Sequence, residues 1–157
     1  MIGAALANQL APHGFSIALV EGQTPTDYDL SQKFDLKVCA LSPKSAQIMQ
    51  QSSAWDILQG MRLCPYKRMR VWEMDGFGDL TFNANQVGML ELGHIVENRL
   101  VQLSLWQALE SHENVAVICP ASPIRFNRHG DVTNVVLDNG QHLSARLVVG
   151  ADGAQSK

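Results

Sequence analysis

The sequence predicts an α/β chain that carries the later half of a βαβ unit, Rossmann-like but lacking its first strand, with a β-rich segment inserted at about 68–97. Three observations predict it. Ile2, Leu6 and Leu10 recur at a spacing of four, and Gly14 and the short apolar run Phe15–Glu21 follow, giving helix, glycine turn and buried parallel strand in succession. A second apolar run, Leu147–Val149, ends in Gly150-Ala151-Asp152-Gly153, the form of a buried strand closing on a bend that a ligand can approach. Between the two, strand and turn signals crowd the stretch from Arg70 to Val96, where a simple doubly wound domain would alternate helix with strand.

Composition bounds the rest. A length of 157 residues suits one core rather than two. With 46% hydrophobic and 17% charged residues the chain is too apolar for disorder. Twelve Lys and Arg against 15 Asp and Glu leave a net charge of -3, which argues against a broad nucleic-acid surface. No apolar run approaches the roughly 18 residues that span a bilayer. Met1–Leu10 lacks the basic start of a secretory signal and contains Asn8 and Gln9. Cys39, Cys64 and Cys119 are odd in number, widely spaced and without a C-x-x-C pair, so they read as buried or idle thiols of a reducing cytoplasm rather than as disulfides or zinc ligands.

The elements follow in order. The small residues Ala4, Ala5 and Ala7 suit close packing of the first helix, and Pro12, His13 and Gly14 end it. Residues 22–36 are polar and read as a loop, with a short extended segment over Lys37–Leu41. Ser42 followed by Pro43 is a helix start, and two short helices are expected before Gly60. Met69–Trp72 and Leu80–Phe82 flank the turn signal Gly76-Phe77-Gly78-Asp79 and predict a hairpin. Gly93–Val96 is a strand, after which a helix is expected from Glu97-Asn98 to about His112, capped by Asn98, with Val101, Leu105, Ala108 and Leu109 on its apolar face. A strand over Val115–Cys119 precedes a hairpin of Ile124–Arg128 with Val132–Leu137, and the Asn139-Gly140 turn leads into a last strand, His142–Val149.

Chemistry-bearing residues sit at the ends of these elements. In a dinucleotide fold the last glycine of G-x-G-x-x-G lets a helix pack closely on the sheet, and an acid about 20 residues on accepts the ribose hydroxyls. Gly3 and Glu21 stand 18 residues apart on the right elements, yet the earlier glycines are absent. By themselves the two fit equally a helix-packing glycine and a strand-end surface charge. Asp152 and Gly153 add weight: a carboxylate at the carboxyl end of a sheet strand sits where open α/β sheets bind ligands, whereas alone the pair would be an ordinary Asp-Gly turn.

The same residues resemble a known family. MIGAALANQL with GFSIALVE resembles the tail of the FAD fingerprint of flavin-dependent aromatic hydroxylases (group A monooxygenases), and GADGAQS resembles their DG motif. WEMDGFGDLTF, LGHIVENRLVQLSLWQAL and ARLVVGADGAQS are similar to the ubiquinone-biosynthesis hydroxylases, and MRLCPYKRMRVWE points to the member whose substrate is 2-octaprenyl-3-methyl-6-methoxy-1,4-benzoquinol. The resemblance covers almost the whole chain, which then stands as residues 1–157 of an incomplete FAD/NAD(P)-binding domain. Both ends read as cut: a first strand, two fingerprint glycines and a later GD motif are expected outside it.

The resemblance implies FAD as cofactor, NAD(P)H as electron donor, oxygen as co-substrate and a prenylated quinol as substrate. It implies contact with the membrane surface at the inner membrane and with other ubiquinone-pathway enzymes. It places Gly3 at the last fingerprint glycine, Glu21 at the adenosine ribose, Lys37 where the family has Arg near the flavin, Asn98 at the helix facing the diphosphate and ribityl chain, and Asp152 and Gly153 in the DG motif. Lys37 keeps the charge but loses the planar fork of Arg. The cofactor carries the chemistry while the protein positions it, so no side chain is expected to be catalytic in its own right. Little activity is expected of the chain alone; a non-catalytic interaction module derived from such a hydroxylase is the alternative. The remaining features read blandly. Arg62, Lys67, Arg68 and Arg70 form a basic cluster that reads as a solvated strand face, with an anionic lipid or NADPH phosphate as the alternative contact; Arg99 is a contact or a solvated charge, and His94 and His112 lack metal-ligand spacing. Trp55 and Trp106 fit helix core positions.

Overall fold

The computed structural model describes residues 1–29 and 31–153; the Ala154-Gln155-Ser156 end of the DG-like motif lies outside them. The chain divides into two compact units, residues 1–26 with 105–157, and residues 27–104.

In the first unit, helix α1 (Ile2–Leu10) runs into a short 3-10 turn (Ala11–His13), and Gly14 at φ 77° reverses the chain. Only a residue without a Cβ takes that left-handed conformation without strain. Strand β1 (Ile17–Val20) pairs in parallel with β7 (Val115–Ile118), Ile17 opposite Val115 and Val20 opposite Ile118. Asn114 secures the entrance to both: its Nδ2 donates to Ala11 O at 2.9 Å and to Phe15 O at 2.7 Å. Strands β8 (Pro123–His129), β9 (Val132–Leu137) and β10 (His142–Ala145) form an antiparallel meander. Ala121, Val135 and Leu137 pack with Val20, Ile118 and Leu143 into a small core. On the helical side Ala4, Ala7 and Ala11 are buried, and Asn8, 1% exposed, donates to Ala4 O at 3.0 Å and Leu105 O at 2.9 Å.

One expected element is missing here. The last strand stops at Ala145, and Leu147, Val148 and Val149 run on without a strand partner, 76%, 41% and 53% exposed. An apolar run becomes a buried strand only where neighbours supply a hydrogen-bonding edge and a covered face, and among the described residues none pairs with it. Asp152 therefore follows an extended, exposed segment rather than the end of a buried strand.

In the second unit β2 (Val38–Leu41), β6 (Gly93–Glu97) and β3 (Cys64–Tyr66) form an antiparallel sheet with β6 central. Helix α2 (Pro43–Gln50) opens as expected, with the Ser42 hydroxyl accepting from Ser45 N at 3.2 Å and Pro43 in its first turn. Helix α3 (Ala54–Gln59) buries Trp55 and Leu58 beside Ala46 and Met49. The hairpin of β4 (Arg68–Trp72) and β5 (Asp79–Asn83) is a two-stranded ribbon closed by Glu73 N to Gly78 O at 2.9 Å. Helix α4 (Asn98–Leu109) follows β6, and the boundary between the units falls within it. Asn98 is its first helical residue rather than its cap. Its side-chain oxygen is buried without a partner among the described residues.

Candidate functional site

Gly3, Glu21, Asp152 and Gly153 all lie in the first unit. A Cβ built on Gly3 would sit 3.4 Å from Ala151 Cβ and 3.4 Å from Leu19 Cδ1, so the start of α1 lies against both β1 and the residue preceding Asp152. A methyl would just be accommodated at that spacing; a branched side chain would not. Glu21 is two residues beyond Leu19, about 7 Å along an extended chain. Its backbone prolongs the parallel ladder, Glu21 N donating to Ile118 O at 3.1 Å and Ala121 N to Glu21 O at 3.0 Å. Its Oε1 accepts from the amides of Gly22 at 2.9 Å and Gln23 at 3.4 Å, which turns the carboxylate back over the following loop. A carboxylate offers about four acceptor positions, so these two bonds do not exhaust it. Gly153 has φ 70°, a conformation that makes glycine the natural occupant.

A cavity in the same unit is lined by none of these residues. That cavity, about 380 Å³, is lined by Thr24, Val117 and Cys119 on one side and by Trp106, Leu109 and His112 on the other. Thr24 Oγ1 and Cys119 Sγ lie 3.4 Å apart at its wall. Gly3 and Glu21 are half-buried and Asp152 is exposed. Trp106, expected in the helix core, is half-buried and lines the cavity.

Lys37 and Asn98 lie together in the second unit, where Asn98 N donates to Lys37 O at 3.0 Å. The Lys37 side chain is exposed. Around them is a network that local sequence did not signal. Arg62, expected on a solvated strand face, is 15% exposed and pairs with Glu97, 3% exposed, through Nη2 to Oε1 at 3.1 Å. Its guanidinium lies over the rings of Phe34, at 4.4 Å, and Tyr28, at 5.5 Å. Arg99 is neither solvated nor free: Nε donates to Asp35 Oδ2 at 3.0 Å, and Nη1 to Asp27 O at 2.8 Å and Gln32 Oε1 at 3.0 Å. Glu97 stands 35 residues from Arg62 and 62 from Asp35, separations at which no periodicity links side chains. The only available signal was the composition of the polar stretch, which mixes Asp27, Asp29 and Asp35 with Tyr28 and Phe34.

Two shifts accompany these positions. The Ser31 amide and hydroxyl hold the exposed Asp29 carboxyl below its ordinary value, and burial pushes the Cys39 thiol up. His94 Nε2 meets Glu91 Oε1 at 3.1 Å, and its ring lies edge-on to Trp55, 5.2 Å between centroids. Among the described residues no group of three or more His, Cys, Asp and Glu is placed to hold a metal ion, and no helix is long and apolar enough to cross a membrane.

No protein-family model matches the chain. Individual relatives do. It is 38% identical over its whole length to 3-demethoxyubiquinol 3-hydroxylase of Escherichia coli, covering 40% of that protein. It is 31% identical, over 99% of the chain and 36% of the relative, to the mitochondrial ubiquinone biosynthesis monooxygenase COQ6 of Xenopus tropicalis. It is 30% identical over its whole length to ubiquinone hydroxylase UbiL of Rhodospirillum rubrum, again covering 36%. The chain thus spans about two-fifths of the length of the curated relatives it matches. Among solved structures, PqsL of Pseudomonas aeruginosa, a probable FAD-dependent monooxygenase, superposes with a TM-score of 0.72 at 22% identity, covering 99% of this chain and 41% of that one. A flavoprotein/dehydrogenase from Cytophaga hutchinsonii matches with a TM-score of 0.67 at 15% identity over 91% of this chain and 35% of its own. The fold is that of part of an FAD-binding monooxygenase.

Proposed function

We propose, from the relationship of its whole length to the ubiquinone-biosynthesis hydroxylases, that this chain carries part of the FAD site of a monooxygenase that hydroxylates a prenylated benzoquinol with NAD(P)H and oxygen. The observation that supports the reading is the meeting of the α1 start with Leu19, two residues before Glu21, and with Ala151, which precedes Asp152. The residues suit the cofactor on two counts. Gly3 leaves the start of α1 without a side chain against its neighbours, and Asn98 Oδ1 is a buried acceptor lacking a partner among the described residues.

When bound, FAD supplies the redox and oxygen chemistry. The chain's part is to bind and orient. The first amides of α1 have no helical partners and favour a diphosphate by charge and by hydrogen bonding. Glu21 accepts from the adenosine ribose hydroxyls. Asp152 accepts from a ribityl or ribose hydroxyl, Gly153 allows the close bend after it, and Lys37 and Asn98 serve the flavin side.

Titration of the purified chain with FAD, followed by flavin fluorescence, tests this. Binding is expected, and Glu21→Ala weakens it about tenfold or more, the loss of a charge-assisted hydrogen bond. Binding that is absent, or indifferent to Glu21, sinks the reading. A chain that captures ubiquinone-pathway enzymes while holding no flavin would favour the interaction module. The exposed apolar residues Met69, Val71, Leu80 and Phe82 on one face of the β4–β5 ribbon give that second reading its support.

A further inference from the structure

We infer that Glu97, acting through Arg62 and the Asp35 amide, is a positioning residue that fixes the 27–37 stretch and with it Lys37 and Asn98, an inference that rests on the flavin reading above.

The stretch has little to hold itself. Its described residues form no helix or strand before Val38, and Phe34 and Leu36 are 73% and 101% exposed. Among its described residues the internal bonds are Gln32 N to Asp29 O at 3.1 Å and Ser31 N to Asp29 Oδ1 at 2.8 Å, a local turn. Further anchors come from two arginines and Glu97. Arg62 Nη1 donates to Gln32 O at 2.7 Å, Arg99 Nη1 to Asp27 O, and Asp35 N to Glu97 Oε1 at 2.7 Å. Three of these contacts are to main-chain atoms, so they set the path of the backbone rather than the packing of side chains. The same corner holds the far end, because Asn98 N binds Lys37 O and Val38 pairs with Glu97. One junction between β6 and α4 therefore dictates both ends of the segment bearing Lys37.

The cluster is poorly satisfied for a purely stabilising device. Arg62 Nε, Glu97 Oε2, Tyr28 Oη and Asn98 Oδ1 are all buried without a partner among the described residues. A one-armed buried ion pair seldom stabilises more than apolar residues of similar volume would, and such pairs are best attested where they specify one arrangement over others. Here the arrangement specified is the course of residues 27–37.

Three chains test it: the natural one, Glu97→Gln, and the double variant Arg62→Met with Glu97→Leu. Each is measured for thermal unfolding, for trypsin cleavage after Lys33 and Lys37, and for FAD affinity. The double variant is expected to melt close to the natural chain, since apolar partners replace the pair. Cleavage after Lys33 is nevertheless expected to rise, and FAD affinity to fall, each roughly tenfold. Glu97→Gln, which strands the buried Arg62 charge, is expected to show the same cleavage and a lower melting temperature. Unchanged cleavage in both variants overturns the clamp. Faster cleavage with unaltered FAD affinity overturns the link to Lys37 and Asn98. A natural chain that binds no FAD defeats the flavin reading, while the cleavage pattern still decides the clamp.

Discussion

Replacing Gly93 with Ala puts a methyl where the central strand of the second unit has no room. Gly93 opens β6 at φ 153°, opposite Tyr66. A Cβ there would overlap the Leu41 carbonyl oxygen, and would lie 3.3 Å from the Leu41 carbonyl carbon and 3.2 Å from Tyr66 Cε1. The obstructing atoms are mainly backbone, so relief requires β2 to move away from β6. The backbone conformation itself costs an alanine about 1–3 kcal/mol. Overpacking adds about 1–3 kcal/mol. The sum, about 2–6 kcal/mol, lowers the melting temperature by roughly 5–20 °C in a chain of this size. Circular dichroism melts read the shift, and hydrogen exchange at the β2 and β6 amides locates it. Gly88→Ala is the control: Gly88 also has a positive φ, 67°, but open space where its Cβ would be, so only the left-handed strain of about 1–2 kcal/mol applies. Equal shifts for the two variants, or a Gly93→Ala chain melting with the natural one, would refute the steric argument.

Two further outcomes are expected. At mildly alkaline pH, iodoacetamide should alkylate the exposed Cys64 well before Cys39, because burial raises the Cys39 thiol above its ordinary value and leaves less thiolate at any pH below it; peptide mapping during the reaction reads the order, and a faster Cys39 contradicts the burial argument. Ser42→Ala removes the hydroxyl that caps α2 and should cost about 1 kcal/mol, measured by denaturant unfolding; a neutral substitution would mean that the Pro43 start alone sets the helix.

Local chemistry explains what could be read in advance. The end of α1 at Gly14, the start of α2 at Ser42-Pro43 and the turn before β10 at Asn139-Gly140 each depend on a few adjacent residues with one strong conformational preference. The pairing of Phe15–Glu21 as a parallel strand was legible because its apolar run follows directly on an amphipathic helix and a glycine turn. Burial was less legible: Ala18 in β1 is exposed, and Leu147–Val149 stays unpaired although its composition is that of an inner strand. Composition reports what a segment could bury, whereas the neighbouring strands decide whether it does.

The candidate site divides in the same way. Gly3, Glu21, Asp152 and Gly153 were singled out from residue type and spacing, each read from its own position at an element's end. The approach of Ala151 to Gly3 required the fold, which joins them across nearly the whole length of the chain. Arg62, Glu97, Asp35 and Arg99 were not identifiable, since a charged side chain reads as solvated until the fold buries it beside its opposite. Sequence by itself determined where helices and turns begin, because those preferences are local. Only the tertiary structure decided which charges are withdrawn from water and which apolar runs are left in it, because desolvation depends on neighbours that the chain brings together from tens of residues away.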